Sequence, residues 1–548
     1  MSSTPPPTSG SGGPEFLEPE SGDPIARSRE GRDGRRTALL AGAAAAGLAL
    51  VGGGVWATMS FLASGPQPAE ALPAGTIGYV SIDLDPSGEQ KIEAFRMLDK
   101  FPALREELDG FDADDDLLEL AFEDIEKECD GLDYTEDVKP WLGYRFAVAA
   151  VDLGEERPTP VGVVQVTDAD AARDGLAKLR ECAGEDEGGW VVEGDWAVVA
   201  ETEDLAREAS AAAADGSLAD DADFQRWTEE VGDPGVMTMY AGPELGRHLA
   251  DLAANPLTPL SPLGGMTLDA EPGLAEPDVP VEPEVPEEMA EALESFEGMA
   301  ATVRFSDGAL EFEAVAGGGD VSLDAFAATG AGDAVGALPA DTAVAYGLSL
   351  PEGWLTAMLD FFREYTGESA SVEELLTQFE AQTGVSGDDV EALLGESAAL
   401  GIGSDFDPEA FFGSADGSGV PIGARITGDS ERVQEVLGKL ADQAGGAATF
   451  LANDADGDVV AVGPNADYRK QLLEDGGLGD TEVFQNVVRE ADQAGAVFFV
   501  NFRAGDWLQN LSSSDPEVAE NLERLEGLGA SSWIDDQTSH VVFRVTTD

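Results

Sequence analysis

The chain of 548 residues carries 109 acidic side chains against 30 basic ones, a formal charge of −79 at pH 7. That balance excludes recognition of DNA or RNA through a basic surface, which needs clustered Lys and Arg against phosphate. With 43% hydrophobic residues the chain can bury a core, and its length calls for several folding units. The acids are spread along the whole chain, so they read as a solvated, self-repelling surface and not as an acidic arm.

Residues 1–36 are rich in Ser, Pro, Gly and Glu without helical or strand period, and predict a disordered cytoplasmic tail. From Thr37 to Ala63 no side chain is charged, a run long enough for a helix to cross a bilayer. Arg27, Arg29, Arg32, Arg35 and Arg36 crowd its amino-terminal side, and the first basic residue beyond it is Lys91. This asymmetry predicts one transmembrane helix over 37–63, with the tail inside and the bulk extracytoplasmic. Gly34-Arg35-Arg36 loosely resembles a twin-arginine export signal, and Ala69-Glu70-Ala71 offers a small-x-small site, so a cleaved signal is the alternative. Outside the membrane a disulfide is permitted, and the two cysteines, Cys129 and Cys182, are expected to form one structural bridge.

The exported part reads as two copies of one unit, residues 72–318 and 336–548. Leu72-Pro-Ala-Gly-Thr76 matches Leu338-Pro-Ala-Asp-Thr342, and Glu136-Asp-Val-Lys-Pro-Trp-Leu-Gly143 aligns with Asp388-Asp-Val-Glu-Ala-Leu-Leu-Gly395. A third match, in the same order, is Ala292–Met299 with Asn521–Leu528. Within a copy, Arg145–Val151 and Val161–Val166 predict strands, and Leu176–Cys182 and Val433–Gln443 predict amphipathic helix. Trp190–Val199 predicts two strands around a Glu-Gly-Asp turn, with Thr449–Gly463 as its counterpart, and Asp307-Gly308 predicts the turn of a hairpin. Residues 255–287 hold eight prolines and predict a Pro-rich acidic insertion without regular structure. The fold class expected is α+β, a duplicated ectodomain of mixed helices and largely antiparallel sheets.

The chain has only two histidines, His248 and His540, which removes most Ser-His-Asp, Cys-His and zinc-histidine chemistry. Each is expected at the surface or at an edge. No nucleophile elbow, Walker A loop or dinucleotide fingerprint occurs, so no catalytic residue and no cofactor is nominated. Asp112, Asp114, Asp116 and Glu123 have the spacing of an EF-hand, but Leu117 stands where the loop needs Gly. Acids there suit the start of a helix instead. Asp454, Asp456 and Asp458 form a D-x-D-G-D turn, a hairpin first and a weak candidate cation site second.

Asp137, Val138, Lys139, Pro140, Trp141, Leu142 and Gly143, preceded by Leu72-Pro-Ala-Gly-Thr-Ile-Gly-Tyr-Val80 just beyond a predicted span, resemble a known motif. They are similar to actinobacterial membrane-anchored proteins of the domain of unknown function 3352 family. The second copy keeps only Val390 and Leu394-Gly395 of the motif. The resemblance implies a membrane-anchored envelope protein and brings no catalytic residues with it. Read physically, Pro140 and Trp141 before a strand are a fixed turn and a core plug. The expectation is a non-enzymatic binding or scaffolding module of the cell envelope, with an envelope ligand or protein as partner. A carboxylate-dependent hydrolase of envelope polymers and a calcium-dependent envelope module are the alternatives.

Overall fold

The computed structural model describes residues 66–548, except 156, 184–187, 247, 249–294, 319–327, 367–370, 408–410, 412–415, 509–521, 536 and most of 85–130. The tail, the expected span at 37–63, the EF-hand-like cluster and the insertion at 255–287 lie outside the described residues. Among the described residues no helix is long and apolar enough to cross a membrane.

Alternation of apolar and small residues gives sixteen described strands. The first eight are β1 (Thr76–Asp83), β2 (Leu142–Val151), β3 (Thr159–Val166), β4 (Gly189–Glu193), β5 (Trp196–Ala200), β6 (Met237–Ala241), β7 (Phe296–Ser306) and β8 (Ala309–Gly318). The second eight are β9 (Thr342–Leu348), β10 (Ser397–Gly403), β11 (Ile422–Thr427), β12 (Asn453–Asp456), β13 (Val459–Val462), β14 (Ala496–Asn501), β15 (Leu525–Asp535) and β16 (Thr538–Thr547). They form one sheet in the order β12-β13-β11-β10-β9-β14-β15-β16-β8-β7-β6-β1-β2-β3-β5-β4. Read inwards from either edge, each half runs fourth, fifth, third, second, first, sixth, seventh, eighth strand.

The sequence predicts largely antiparallel sheets without saying how those of the two halves meet; the structure makes them one, because β8 and β16 pair antiparallel from Ala309↔Thr546 to Gly317↔Thr538. Both are the outer strands of hairpins, and such unpaired edges can close against each other. The turn between β7 and β8 is the expected one: Asp307 and Gly308 both have positive φ, 52° and 75°, as a tight two-residue hairpin requires. In the second half Gly445–Leu451 is a 3-10 turn, so the hairpin counterpart begins at Asn453 rather than at Thr449.

The helices divide between the two sides of the sheet. On one side lie α2 (Glu203–Asp215), α3 (Ala222–Glu230), α4 (Ala331–Gly336), α9 (Ala466–Leu473) and α10 (Glu482–Val487). Trp227 of α3 packs there against Tyr79, Tyr240 and Val315, and Phe484 of α10 against Val497 and Phe499. On the opposite side α1 (Ala169–Ala183), α7 (Gly387–Leu394) and α8 (Ser430–Ala444) cover the outer strands. Two further helices, α5 (Trp354–Thr366) and α6 (Val372–Thr383), precede α7. The segment that leads into each half is built alike. Thr76 Oγ1 donates to the Pro73 carbonyl at 2.7 Å, and Thr342 Oγ1 donates to the Pro339 carbonyl at 2.7 Å.

The seam buries charge on the side of α2, α3 and α10. Glu311 of β8 lies between Arg304 of β7, at 2.6 Å, and Arg544 of β16. Glu313 also accepts from Arg304, and Arg489 reaches Asp307 at 3.0 Å. Arg544 is 1% exposed, so its guanidinium is held by these partners and by the Ser306 carbonyl at 3.0 Å. Buried charges persist only when paired in this way. His540 belongs to the same strand and is a correction: it is buried, not at the surface, stacked on Trp533 with ring centroids 4.9 Å apart. The β8–β16 joint turns what would have been an edge strand into a central one.

Candidate functional site: an uncharged sheet face

The motif at 137–143 sets the start of β2. The Asp137 carboxylate accepts from the Asp133 backbone at 3.1 Å and closes a π turn, Tyr134–Val138. Val138 is fully buried, Lys139 and Pro140 are exposed, and Trp141 is buried with its indole donating to the Asp137 carbonyl at 2.7 Å. Leu142 opens β2, and Gly143 runs so close to Gln165 that a Cβ would lie 2.7 Å from its side chain. The expected turn and core plug are therefore present, with Val138, Trp141, Leu142 and Gly143 packed and Lys139 and Pro140 exposed.

Sequence reading missed a partner. Lys178 of α1 forms an ion pair with Asp137, and its hydrogen bond is the chief reason that this carboxyl sits below its ordinary range. Lys439 of α8 stands 3.3 Å from Asp389, the residue aligned with Asp137, and Arg432 also pairs with Asp389. Burial pushes the Asp389 carboxyl up, but its bonds from Ser386, Lys439 and Arg432 outweigh this and hold it low. The signal was available: Leu176-Ala-Lys-Leu179 and Leu437-Gly-Lys-Leu440 place a lysine at one helical position in a lysine-poor chain.

Cys129 and Cys182 form a disulfide with Cα atoms 5.4 Å apart, tying α1 to the segment before the π turn. Asp454 of β12 pairs with Arg469 at 2.9 Å, while Asp456 is exposed. Among the described residues no three His, Cys, Asp or Glu side chains are placed to hold a metal ion. His248 is half-buried near the end of the described run after β6. A cleft of about 440 Å³ opens beside α7, where Trp354 and the carboxylates of Glu352, Glu391, Glu396 and Asp429 line it. Two of those acids already serve the backbone: Asp429 caps α8 through the Arg432 N–H, and Glu391 accepts from the Leu355 N–H at 3.4 Å.

The larger feature is a face of the sheet. Cross-strand partners in antiparallel pairs point to the same side, so the registers trace rows across the strands. One row runs Leu400, Tyr346, Phe498, Ala530, Phe543, Phe312. It continues through Val303, Met237 and Ile82 to Phe146. From β10 through the seam to β2, no Asp, Glu, Lys or Arg of these paired registers falls on this side. The charged strand residues Asp83, Arg145, Arg304, Glu311, Glu313 and Arg544 all fall on the other. In a chain that is 25% charged, such a face must be covered or must meet something apolar.

Among the described residues it is covered at its flanks, and Lys100 reaches Thr547 at the end of β16. α1 and Trp141 pack over Ile82, Met237 and Val166, while α7 and α8 pack over Ala398, Ala424 and Ile426. Trp507 and Leu508 cover Val344, Val500 and Leu528. Between these covers Tyr346, Leu400, Phe498, Val541, Phe543 and Val80 are 38% to 47% exposed. With Tyr144 they make seven of the nine large apolar side chains that stand exposed among the described residues. Contiguous exposed apolar surface of this kind marks interaction sites. Sequence reading did not find it, because runs such as Ala496-Val-Phe-Phe-Val500 are apolar at every position and show no period of two.

No curated protein and no solved structure matches the chain. A family model does, described as "Protein of unknown function (DUF3352)", over residues 39–189, the stretch that holds β1 to β3 and the motif at 137–143. Over that stretch the chain is similar to the DUF3352 family.

Proposed function

We propose that this chain is a non-enzymatic binding module of the cell envelope, anchored by one transmembrane helix over 37–63 and binding an apolar ligand on its uncharged sheet face. The observation that carries the reading is that face: ten consecutive strands whose paired registers put no charge on one side, with aromatic residues left exposed in the middle. The disulfide Cys129–Cys182 suits an oxidising compartment outside the membrane.

In this reading the ectodomain is a tandem duplication, residues 72–318 and 336–548. Support comes from the mirrored strand order, from the paired lysines Lys178 and Lys439, and from hairpins β7–β8 and β15–β16 in corresponding register. The exposed band from Leu400 to Phe543 lies on strands of the second copy and ends at the seam, where β16 meets β8 of the first.

The test is binding of Nile red, a neutral dye that brightens in apolar surroundings, to the purified full chain. Bright emission that falls with Tyr346→Asp and with Phe498→Asp is expected, since both side chains are exposed on the face, with circular dichroism checking that each variant is folded. Emission that both variants retain would remove the reading.

A further inference from the structure

Resting on that reading, we infer that the ligand is a single extended acyl chain with an uncharged or zwitterionic head, laid across the strands from Leu400 to Phe543. Three observations select it. The first is shape. The row Leu400, Tyr346, Phe498, Ala530, Phe543 crosses β10, β9, β14, β15 and β16, with one small residue, Ala530, between bulky neighbours. Four spacings of roughly 4.8 Å make a band of about 19 Å. A hydrocarbon whose ~1.5 Å bonds zigzag forward needs about fifteen carbons to cover that length.

The second is recess. Elements stand on the same side of the sheet at both flanks: α7 and α8 beyond β10, and α1 with Trp141 over β1, β2 and β6. Trp507 and Leu508 close the end toward Val344 and Val500. The exposed side chains lie between these covers, a setting that admits a chain lengthwise and keeps a flat bilayer surface away. The third is charge. No cation stands among the paired strand residues of the face, the Lys100 ammonium at its end is already bonded to Thr547, and with −79 on the whole chain an anionic head is repelled, as is a second copy of this protein.

The experiment displaces Nile red from the full chain with two series of single-chain lipids, lysophosphatidylcholines and lysophosphatidylglycerols, and with pyrene as a compact apolar probe. Displacement by the choline series should tighten about fourfold per added methylene, and then level off near the length of the band. The glycerol series should compete less well at low salt, with the gap closing as salt screens the repulsion. Tyr346→Asp and Phe543→Asp should weaken the longest chains most. Displacement that does not depend on chain length, or pyrene equal to the longest lipid, overturns the inference while leaving an apolar binding face. Preference for the anionic series also overturns it. Emission that depends on protein concentration, with a dimer seen by ultracentrifugation, would assign the face to a second copy and overturn it too. Absence of Nile red emission would fail the underlying reading instead.

Discussion

Asp137 and Asp389 stand at the same place in the strand order, just ahead of the strand that pairs with the first strand of each half, and each meets a lysine from a later helix. Around that shared ion pair the two halves are filled differently. In the first, Trp141 plugs the space and Gly175 of α1 is bare where a Cβ would collide with the indole and the Asp137 carbonyl. In the second, Leu393 stands at the position of Trp141 and the buried Val436 at that of Gly175, a smaller residue on one element and a larger one on the other. The bracing differs as well. The first half ties α1 by Cys129–Cys182; at the position of Cys182 the second half has Gln443, which donates to the Thr383 carbonyl at 2.6 Å. The charged pair is present in both halves, while the side chains beside it differ in opposite senses, large with none in the first and medium with medium in the second. Cores tolerate such compensated swaps far better than single changes.

The comparison can be broken most forcefully at Trp141. Trp141→Ala should cost about 3–5 kcal/mol, the range for emptying a buried aromatic site, read as a shift in the denaturant midpoint. A loss below 1 kcal/mol would mean that the indole is not the plug. Reduction of Cys129–Cys182 should cost about 2–5 kcal/mol, whereas Gln443→Ala should cost about 0.5–1.5 kcal/mol. Equal losses in the two halves would show that the staple and the hydrogen bond are equivalent braces.

Gly175→Val should destabilise by about 1–3 kcal/mol through overpacking. Adding Trp141→Leu, which copies the second half, should recover part of that loss in a double-mutant cycle. Additive losses would sink the idea of compensation. The smallest effect is the pH dependence of the two ion pairs. Both carboxyls titrate below their unfolded value, so their stabilisation is complete above an unfolded pKa of about 3.9 and is lost as pH falls through the lower folded value. The deficits of Asp137→Asn and Asp389→Asn should therefore shrink on acidification from about pH 7 to about pH 2, measured by urea unfolding. Deficits that grow on acidification would contradict the assignment.

How much of this was legible beforehand follows from what kind of signal each feature leaves. The hairpin at Asp307-Gly308 was readable because φ > 0 at both positions demands such residues. The helices at Ala169–Ala183 and Ser430–Ala444 were readable from amphipathic spacing, although their capping ends were missed by several residues. The plug at Trp141 was readable as a large aromatic after proline. The β8–β16 joint was not, since nothing in Ala309–Gly318 tells an edge strand from an interior one. His540 went wrong for the same reason: its burial depends on which strand lies next to it. The uncharged face was invisible because it is a property of registers across ten strands, and no single strand displays it.

The seam has a further consequence for assembly. Its pairing is centred on Glu313 opposite Val542, the residues that occupy corresponding places in their hairpins. If the first half were freed and its β8 met another β8 in this register, Glu313 would face Glu313, two like charges across one strand pair. If the second half were freed, Val542 would face Val542, and that edge could zip to its own kind. Within one chain each edge meets its complement. Covalent linkage thus favours the pairing of β8 with β16 over pairing of either strand with its own kind.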